Sequence, residues 1–216
     1  MKRKLLFILA LLPLFTQGQG LEKNDIGVLG GASYYMGDFN LGQQFYKPSG
    51  AIGILFRHNL NEFYSFKIAG LYGQVQGNHV NTSYYLPDIQ PPANFSHQVL
   101  QINASAEIGF MPFSTKPANN YNFSPYVTIG GGVALINEKI IFNIPFGIGI
   151  KYSPFNRWTF GAEWRLHKTL NDNIDNYITK NNTKKLTIHN NDWIGVGGFF
   201  VSYRLVKSGA VCPAYY

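Results

Sequence analysis

The sequence predicts an all-β protein, a single antiparallel up-and-down transmembrane β-barrel of about eight strands, preceded by an N-terminal signal peptide. Large apolar residues recur at every second position in long runs, which is the period of a β-strand. Charged residues make up only 13% of the chain, against roughly 25% in an average soluble protein. The N-terminus has the pattern of a secretory signal. An exported chain with so much apolar alternation must bury its apolar faces in a sandwich or expose them to lipid.

The predicted signal peptide covers residues 1–19. It has a basic start, Lys2–Lys4, an apolar stretch, Leu5–Phe15, and a small polar exit. A membrane anchor is the alternative, but the apolar stretch is short for a spanning helix. Removing the three basic residues lowers the formal net charge from +7 to +4. The basic character therefore gives little reason to expect nucleic-acid binding.

The first half of the mature chain contains four predicted strands. Strand 1 covers about Asp25–Met36, and strand 2 covers Ser49–His58. Strand 3 covers Tyr64–Gly73 and strand 4 covers Leu100–Phe110. In each of the last two, one face is mainly large and apolar while the other is mostly small or polar. Strand 4 alternates most clearly, with Leu100, Ile102, Ala104, Ala106, Ile108 and Phe110 on its apolar face.

The second half predicts four more strands. Strand 5 covers Tyr126–Ile136. Strands 6 and 7 form a hairpin over Ile144–His167 with a turn at Ser153–Arg157, because a short Pro/Asn segment separates two alternating runs. Strand 8 covers Asp192–Leu205. The predicted barrel therefore fills residues 20–205, followed by a periplasmic tail, 206–216.

Strand length separates a membrane barrel from a soluble sheet. Soluble strands average about 5–6 residues, whereas tilted strands of roughly 9–11 residues are needed to cross a bilayer. Closure would also remove the unpaired sheet edges that lipid cannot satisfy. The alternative is a secreted β-sandwich in which one face of each sheet is exposed to solvent. The strand lengths and the lack of paired cysteines disfavour it.

The connections mostly alternate between short and long, as in a barrel with both termini in the periplasm. The short turns Asn59–Glu62 and Ser153–Arg157 are predicted to be periplasmic, and the long loops 77–96 and 168–191 extracellular. Two connections depart from this alternation. Pro112–Ser124 is long for a periplasmic turn, and the segment 137–139 is short for an outer loop.

The charged residues of the strands predict which face is interior. A basic side chain facing lipid near the bilayer midplane would cost about 2–4 kcal/mol, and an eight-stranded barrel is just wide enough for side chains to fill it. We therefore expect a non-conducting lumen, with aromatic side chains such as Trp158 and Trp193 on the outside. The alternate faces carry Arg57 and six residues predicted to form an interior charge network: Lys67, Glu107, Lys151, Glu163, Arg165 and Arg204.

Catalytic and cofactor sites are not predicted. Glu163, Arg165 and His167 share one strand face, which allows either a buried acid/base relay or, as we favour, a salt-bridged core with a rim histidine. Asp172, Asp175 and Asp192 could suggest calcium, but the spacing of Asp172 and Asp175 is wrong for an EF-hand loop, which favours a solvated loop over a calcium site. Gly130–Gly132 lies inside a strand and lacks the following helix of a phosphate loop.

The tail contains Cys212, the only cysteine. An odd cysteine in an exported chain indicates a free thiol or an intermolecular disulfide. With Pro213 and Tyr215 it forms an unusual ending for a barrel. A partner contact or covalent link through these three residues and an uninvolved tail both remain open.

Several segments in this order resemble the PorG family, the outer-membrane barrel of the type IX secretion system. They are Ile26–Asp38 with its Tyr-Met-Gly-Asp end, Ser124–Tyr126 before the glycine-rich strand, Ile144–Tyr152, Trp158–Glu163, Asn191–Trp193 and Cys212–Tyr215. The match spans nearly the whole mature chain. It departs from the family pattern at Lys168–Tyr177, so that a role specific to this outer loop does not carry over.

The resemblance implies a non-enzymatic scaffold in the outer membrane. Its partners would be outer-membrane lipids and the periplasmic ring of the secretion machine, built by a lipoprotein and its partner, with no nucleic acid, cofactor or small-molecule substrate. Pro112–Ser124 and the tail would be the docking surfaces. The alternatives are a general small barrel for adhesion or envelope integrity, acting through its outer loops, and a lipid-modifying enzyme, for which no lipid-facing Ser/His pair is evident.

Overall fold

Eight antiparallel strands close into a barrel in which each strand pairs with its neighbour in sequence and the last pairs with the first. The computed structural model describes residues 23–36, 44–78, 94–115, 121–136, 138–170 and 192–205. This architecture confirms the predicted fold class. The strands are β1 (Asn24–Met36), β2 (Ser49–Asn59), β3 (Tyr64–Asn78), β4 (Asn94–Gly109), β5 (Phe123–Ile136), β6 (Lys139–Phe155), β7 (Trp158–Thr169) and β8 (Trp193–Leu205).

The register of the eight pairings gives the stagger of the barrel. A path that crosses from strand to strand through paired residues leaves β1 at Asn24 and returns to it at Tyr34, ten residues further along (34 − 24 = 10). This shear fixes the strand tilt, which is typically about 35–45° in barrels. The path runs through Asn24, His58, Phe66, Ala106, Ile129, Phe146, Leu166, Gly195 and Tyr34.

Several strands extend further than the sequence predicts. β4 begins at Asn94, not near Leu100, and β3 continues to Asn78, so the outer loop predicted at 77–96 is shorter. β6 continues to Phe155 after an irregularity in its pairing with β7, so the turn is only residues 156–157. The alternation of apolar and polar residues weakens in these extensions because polar residues occupy both faces. The backbone is still paired with the neighbouring strand.

The outer and inner faces of the barrel differ as the charge argument predicts. Large apolar side chains such as Ile52, Ile54 and Phe199 are exposed on the outside. The inside buries charged, polar and apolar groups together. Its buried apolar residues come from β1 to β6 and from β8, and they include Leu29, Leu55 and Phe200.

Inward glycines make room for the largest interior side chains. A Cβ on Gly149 would stand 2.5 Å from Cζ of Tyr126, which pairs with it across β5 and β6. A Cβ on Gly161 would collide with the ring of Phe200 on β8. The narrow lumen is thus packed by matching a glycine on one strand to an aromatic ring on the next.

The predicted signal peptide, 1–19, the tail, 206–216, and most of the two long outer loops lie outside the described residues. Within the part of the chain that is described, there is no helix with the length and hydropathy needed to cross a membrane.

Candidate functional site

Glu107 is the hub of an ion-pair network in the half of the lumen where the chain enters β1 and leaves β8, which is called the periplasmic half here because the sequence predicts both termini in the periplasm. Arg57 donates from Nε to Oε2 at 2.8 Å and from Nη2 to Oε1 at 3.2 Å. Lys67 Nζ lies 3.0 Å from Oε1, and Lys151 Nζ lies 4.0 Å from Oε2. Glu107, on β4, therefore connects side chains of β2, β3 and β6 across the lumen.

Asp25 holds the first and last strands of the barrel together. Arg204 donates from Nε to its Oδ1 at 2.8 Å. Asn59 Nδ2 donates to its Oδ2 at 3.0 Å, and Arg57 Nη1 lies 3.9 Å from the same oxygen. The carboxylate thus links β8, β1 and β2 at the point where the barrel closes.

Glu163 is a second carboxylate centre, on β7. It is paired with Lys67, and Tyr126 donates its hydroxyl to Oε2 at 2.6 Å. Arg165 Nε lies 2.6 Å from Oε1, but the contact is an ion pair without hydrogen-bond geometry, because the two side chains rise from alternate positions of one strand. Lys67 bridges the two centres by contacting both Glu107 and Glu163.

All six residues of the predicted charge network point into the lumen, and the structure brings them together with Arg57. Sequence reasoning missed two members, Asp25 and Tyr126. Asp25 lies an even number of residues from the buried Leu29 on β1, so both side chains point inward. The alternation along the strand could therefore have predicted it. Tyr126 was assigned to strand 5 as an ordinary residue, because nothing in the local sequence shows that its hydroxyl reaches Glu163.

The connection between β4 and β5 closes the periplasmic mouth. Residues 113–115, called here the plug, are buried, and the ring of Phe113 lies 4.9 Å from Lys151 Nζ, where it stabilises the ammonium group. The backbone N–H of Phe113 donates to Glu62 O at 3.0 Å. The predicted docking surface Pro112–Ser124 is therefore partly internal. Residues 116–120 of it lie outside the described residues.

Next to the plug, the periplasmic rim exposes apolar side chains. They belong to the connection itself, to its flanking strands and to the end of β6. These are Phe110, Met111, Tyr121, Phe123 and Phe155. Ser124 fixes this segment by donating its hydroxyl to Met111 O at 2.7 Å. An ordered apolar rim at this end can contact lipid headgroups or a periplasmic protein.

At the opposite mouth, the ends of β3 and β4 form a two-stranded extension. Residues 74–78 pair with 94–98, and neither segment pairs with β2 or β5. We call it the outer ribbon. Phe95 of the ribbon packs edge-on against Tyr35, with ring centroids 5.0 Å apart, and Tyr35 donates its hydroxyl to Asp192 at 2.5 Å. Phe95 thus joins the ribbon to the outer end of β1 at the mouth of the lumen.

Part of the outer wall is covered by the segment 44–47. Tyr34 faces outward from β1 but is fully buried, because it packs against Phe45 and accepts a hydrogen bond from Trp164 Nε1 at 2.8 Å. Trp164 therefore does not contact lipid with its polar edge. Trp158 and Tyr203 do lie on the periplasmic half of the outer wall, with ring centroids 5.1 Å apart.

The chemistry candidates of the sequence are placed as follows. His167 is buried inside the barrel above Arg165 and not at its rim, and neither ring nitrogen has a hydrogen-bond partner. Asp192 is buried and bonded to Tyr35, so it is not part of a solvated loop. Asp172, Asp175, Cys212, Pro213 and Tyr215 lie outside the described residues. Among those described, no cluster of His, Cys, Asp or Glu could hold a metal ion.

Three solved barrels are similar to the chain. Ail, the attachment invasion locus protein of Yersinia pestis, is 12% identical over 83% of this chain and 96% of that chain, with a TM-score of 0.46. Neisserial surface protein A is 16% identical over 85% and 97%, with a TM-score of 0.48. The outer membrane protein OprG from Pseudomonas aeruginosa is 12% identical over 86% and 99%, with a TM-score of 0.45.

The family comparison covers almost the whole chain. A family model described as a domain of unknown function (DUF6089) matches residues 2–214. None of the curated proteins matches. The apolar exterior around a charged, filled interior is the arrangement of a small outer-membrane barrel. The protein is thus an outer-membrane β-barrel, as predicted.

Proposed function

The chain belongs to the DUF6089 family, and we propose that it works as a non-enzymatic, non-conducting anchor in the outer membrane that holds a periplasmic protein at its periplasmic rim. One observation carries the proposal. The ion pairs between Glu107, Glu163 and their partners cross the lumen, the plug is buried beside Lys151 at one end, and Phe95 of the outer ribbon packs on Tyr35 at the other. A barrel filled in this way acts through its surfaces.

The periplasmic rim is the surface that favours anchoring. Phe110, Met111 and Tyr121 are exposed beside a plug that is fixed to the β2–β3 turn by the hydrogen bond to Glu62. A fixed apolar segment loses little conformational entropy when a partner binds, which favours affinity. We include in this proposal that the barrel has no enzymatic activity.

The test is recovery of periplasmic partners with the tagged barrel after crosslinking in cells. The rim variant carries Met111→Asp and Tyr121→Asp, and a matched outer variant carries Gln76→Asp and Gln98→Asp on the ribbon. We expect the rim variant to lose the crosslinked partners while the outer variant retains them. Equal recovery with both variants, at equal barrel levels in the membrane, would contradict anchoring at this rim.

The resemblance to the PorG family gives the anchor a more specific form. In this form the barrel tethers the periplasmic ring of the type IX secretion system, made of a lipoprotein and its partner. Deleting the gene should block secretion of cargo proteins, and the wild-type gene should restore it. Normal secretion in the deletion strain would reject the type IX assignment and leave a general anchor standing.

The tail is the second candidate contact in this proposal. Truncation after Leu205 should reduce recovery of ring components if residues 206–216 dock the ring, and undiminished recovery would exclude that role. If Cys212 forms an intermolecular disulfide, wild type and Cys212→Ser should migrate differently on non-reducing gels. Identical migration would leave Cys212 as a free thiol.

The outer ribbon favours a second function, contact with other surfaces outside the cell, as in adhesion. Residues 74–78 and 94–98 extend beyond the strands on either side, where a partner outside the membrane could reach them. In this case the outer variant described above should reduce surface attachment and the rim variant should not. The opposite pattern would support the periplasmic anchor.

A further inference from the structure

The interior charge network holds more cations than carboxylates. Among the described residues it contains three carboxylates and five cationic groups. A fourth buried carboxylate, Asp192, lies at the outer mouth beside Tyr35. Uncompensated charge inside a membrane barrel is costly because neither water nor a counterion stabilises it. The carboxylates are those of Asp25, Glu107 and Glu163, and the cations those of Arg57, Lys67, Lys151, Arg165 and Arg204.

The uncompensated charge is best located at Arg165. Lys151 is paired with Glu107 and faces two aromatic rings, and Arg204 has a close pair with Asp25. Arg165 has one ion pair without hydrogen-bond geometry, to Glu163, and its Nη1 is buried without any acceptor. The guanidinium group therefore has N–H donors without acceptors, and Arg165 is 99% buried.

On the described parts of β4 to β7, the wall above Arg165 is polar and contains no carboxylate. On the described parts of β4 to β7, the inward residues between Glu163 and the outer end include neutral groups without partners. These are Gln101, Asn103, Ser105, Thr128, Asn143 and His167. Five of their eight unpaired atoms can donate an N–H or O–H, counting one nitrogen of a neutral His167, and the other three can only accept. The wall thus presents donors around a positive charge.

A glycine separates two of these donors, Thr128 and Arg165. Glu107, Thr128, Gly147 and Arg165 pair in one row across β4 to β7. Gly147 places no side chain between the Thr128 hydroxyl and the guanidinium, and the Glu107 carboxylate is held on the other side by Arg57 and Lys67. The side chain of Arg165 leans over Gly147, with Cγ 2.9 Å from where a Cβ on Gly147 would stand. Asn103 covers Gly132 in the same way.

We propose that this region of the lumen binds a small monovalent inorganic anion, of the class of chloride, between Arg165 and Thr128. The anion accepts from Arg165 Nη1 and the Thr128 hydroxyl, and it reduces the surplus of positive charge. A lumen of eight strands is just wide enough for side chains, which selects a monatomic anion over phosphate or a carboxylate metabolite. The bound anion is a structural part of the folded barrel.

The experiment measures unfolding of the full chain in lipid vesicles. Urea unfolding is followed in sodium chloride and in sodium gluconate at equal ionic strength, because gluconate is too large for the site. Above the dissociation constant, each tenfold rise in chloride should raise the folding equilibrium constant roughly tenfold. Arg165→Gln should remove this dependence, whereas the exposed Lys139→Gln should keep it.

Bromide gives a second readout that does not depend on stability. Crystals grown in sodium bromide should show an anomalous scattering peak within hydrogen-bond distance of Arg165 Nη1. Equal stability in chloride and gluconate, or a water molecule in place of the peak, would overturn the proposal. If Arg165→Gln does not fold, Thr128→Val provides the test, since it removes a donor and leaves the ion pairs intact.

Discussion

Arg57 on β2 and Glu107 on β4 form a two-point hydrogen-bonded ion pair across the intervening strand β3, with donor–acceptor distances of 2.8 and 3.2 Å. Both side chains are buried, and the guanidinium group of Arg57 also lies 5.0 Å above the ring of Phe200 on β8. The pair therefore ties opposite parts of the wall together through the lumen. Backbone pairing alone joins only neighbouring strands.

Removing the negative charge of Glu107 should strongly destabilise the barrel. Glu107→Gln leaves Arg57, Lys67 and Lys151 without their shared carboxylate, and breaking a buried ion pair by removing one partner costs about 3–5 kcal/mol. The measurement is urea unfolding in lipid vesicles. Glu62→Gln, on the exposed periplasmic turn, is the control and should change stability by less than about 0.5 kcal/mol. Equal effects of the two variants would mean that the network contributes little.

Gly149→Ala should also destabilise the barrel, for a steric reason. The added methyl group would stand 2.5 Å from Cζ of Tyr126, whose hydroxyl is held by Glu163. Forcing a large ring aside in a packed interior costs about 1–3 kcal/mol. Gly131→Ala is the matched control, because a Cβ there meets nothing within 4 Å. The denaturant midpoint of unfolding should therefore fall for Gly149→Ala and stay unchanged for Gly131→Ala.

The alternation of side chains along each strand was enough to predict which charged residues face the lumen. Alternation places residues 67, 107, 151, 163, 165 and 204 on the faces opposite the apolar ones, and those faces point inward. It does not determine which charges meet. That depends on the shear of ten, which sums small offsets over eight pairings. The contact of Arg57 with Glu107 across β3 is a consequence of this stagger and has no local sequence signal.

The ends of the barrel were harder to predict than its wall. The sequence predicts a docking surface at Pro112–Ser124, because the length of this connection does not show that Phe113 turns back under Lys151. The strand extensions at 74–78 and 94–98 contain polar residues and no clear alternation. Their pairing follows from the backbone hydrogen bonds of β3 with β4, which most side chains permit.

The plug should protect Lys151 from reagents in the periplasm. Phe113→Ala removes the ring 4.9 Å from Lys151 Nζ and opens the mouth below it. We expect the rate at which a water-soluble amine reagent modifies Lys151 to rise several-fold, measured by mass spectrometry of the folded protein. Lys139, which is exposed, is the internal reference and should react at the same rate in both proteins. Met111→Ala, in the same connection, should leave Lys151 protected. If Lys151 reacts equally in all three proteins, the plug does not seal the mouth.

A basic residue on the outer wall should report the depth of the membrane. Ile54 lies in the middle of β2 with 68% of its side chain exposed, and Leu60 lies in the periplasmic turn with 56% exposed. Ile54→Arg should lower the unfolding free energy in vesicles by about 2–4 kcal/mol, because the charge meets hydrocarbon near the midplane. Leu60→Arg should cost about 0–1 kcal/mol, since the charge reaches the interface. In water, both positions would be equally tolerant of Arg. A loss confined to Ile54→Arg therefore identifies lipid as the solvent of the outer face, and equal small effects would favour a soluble barrel.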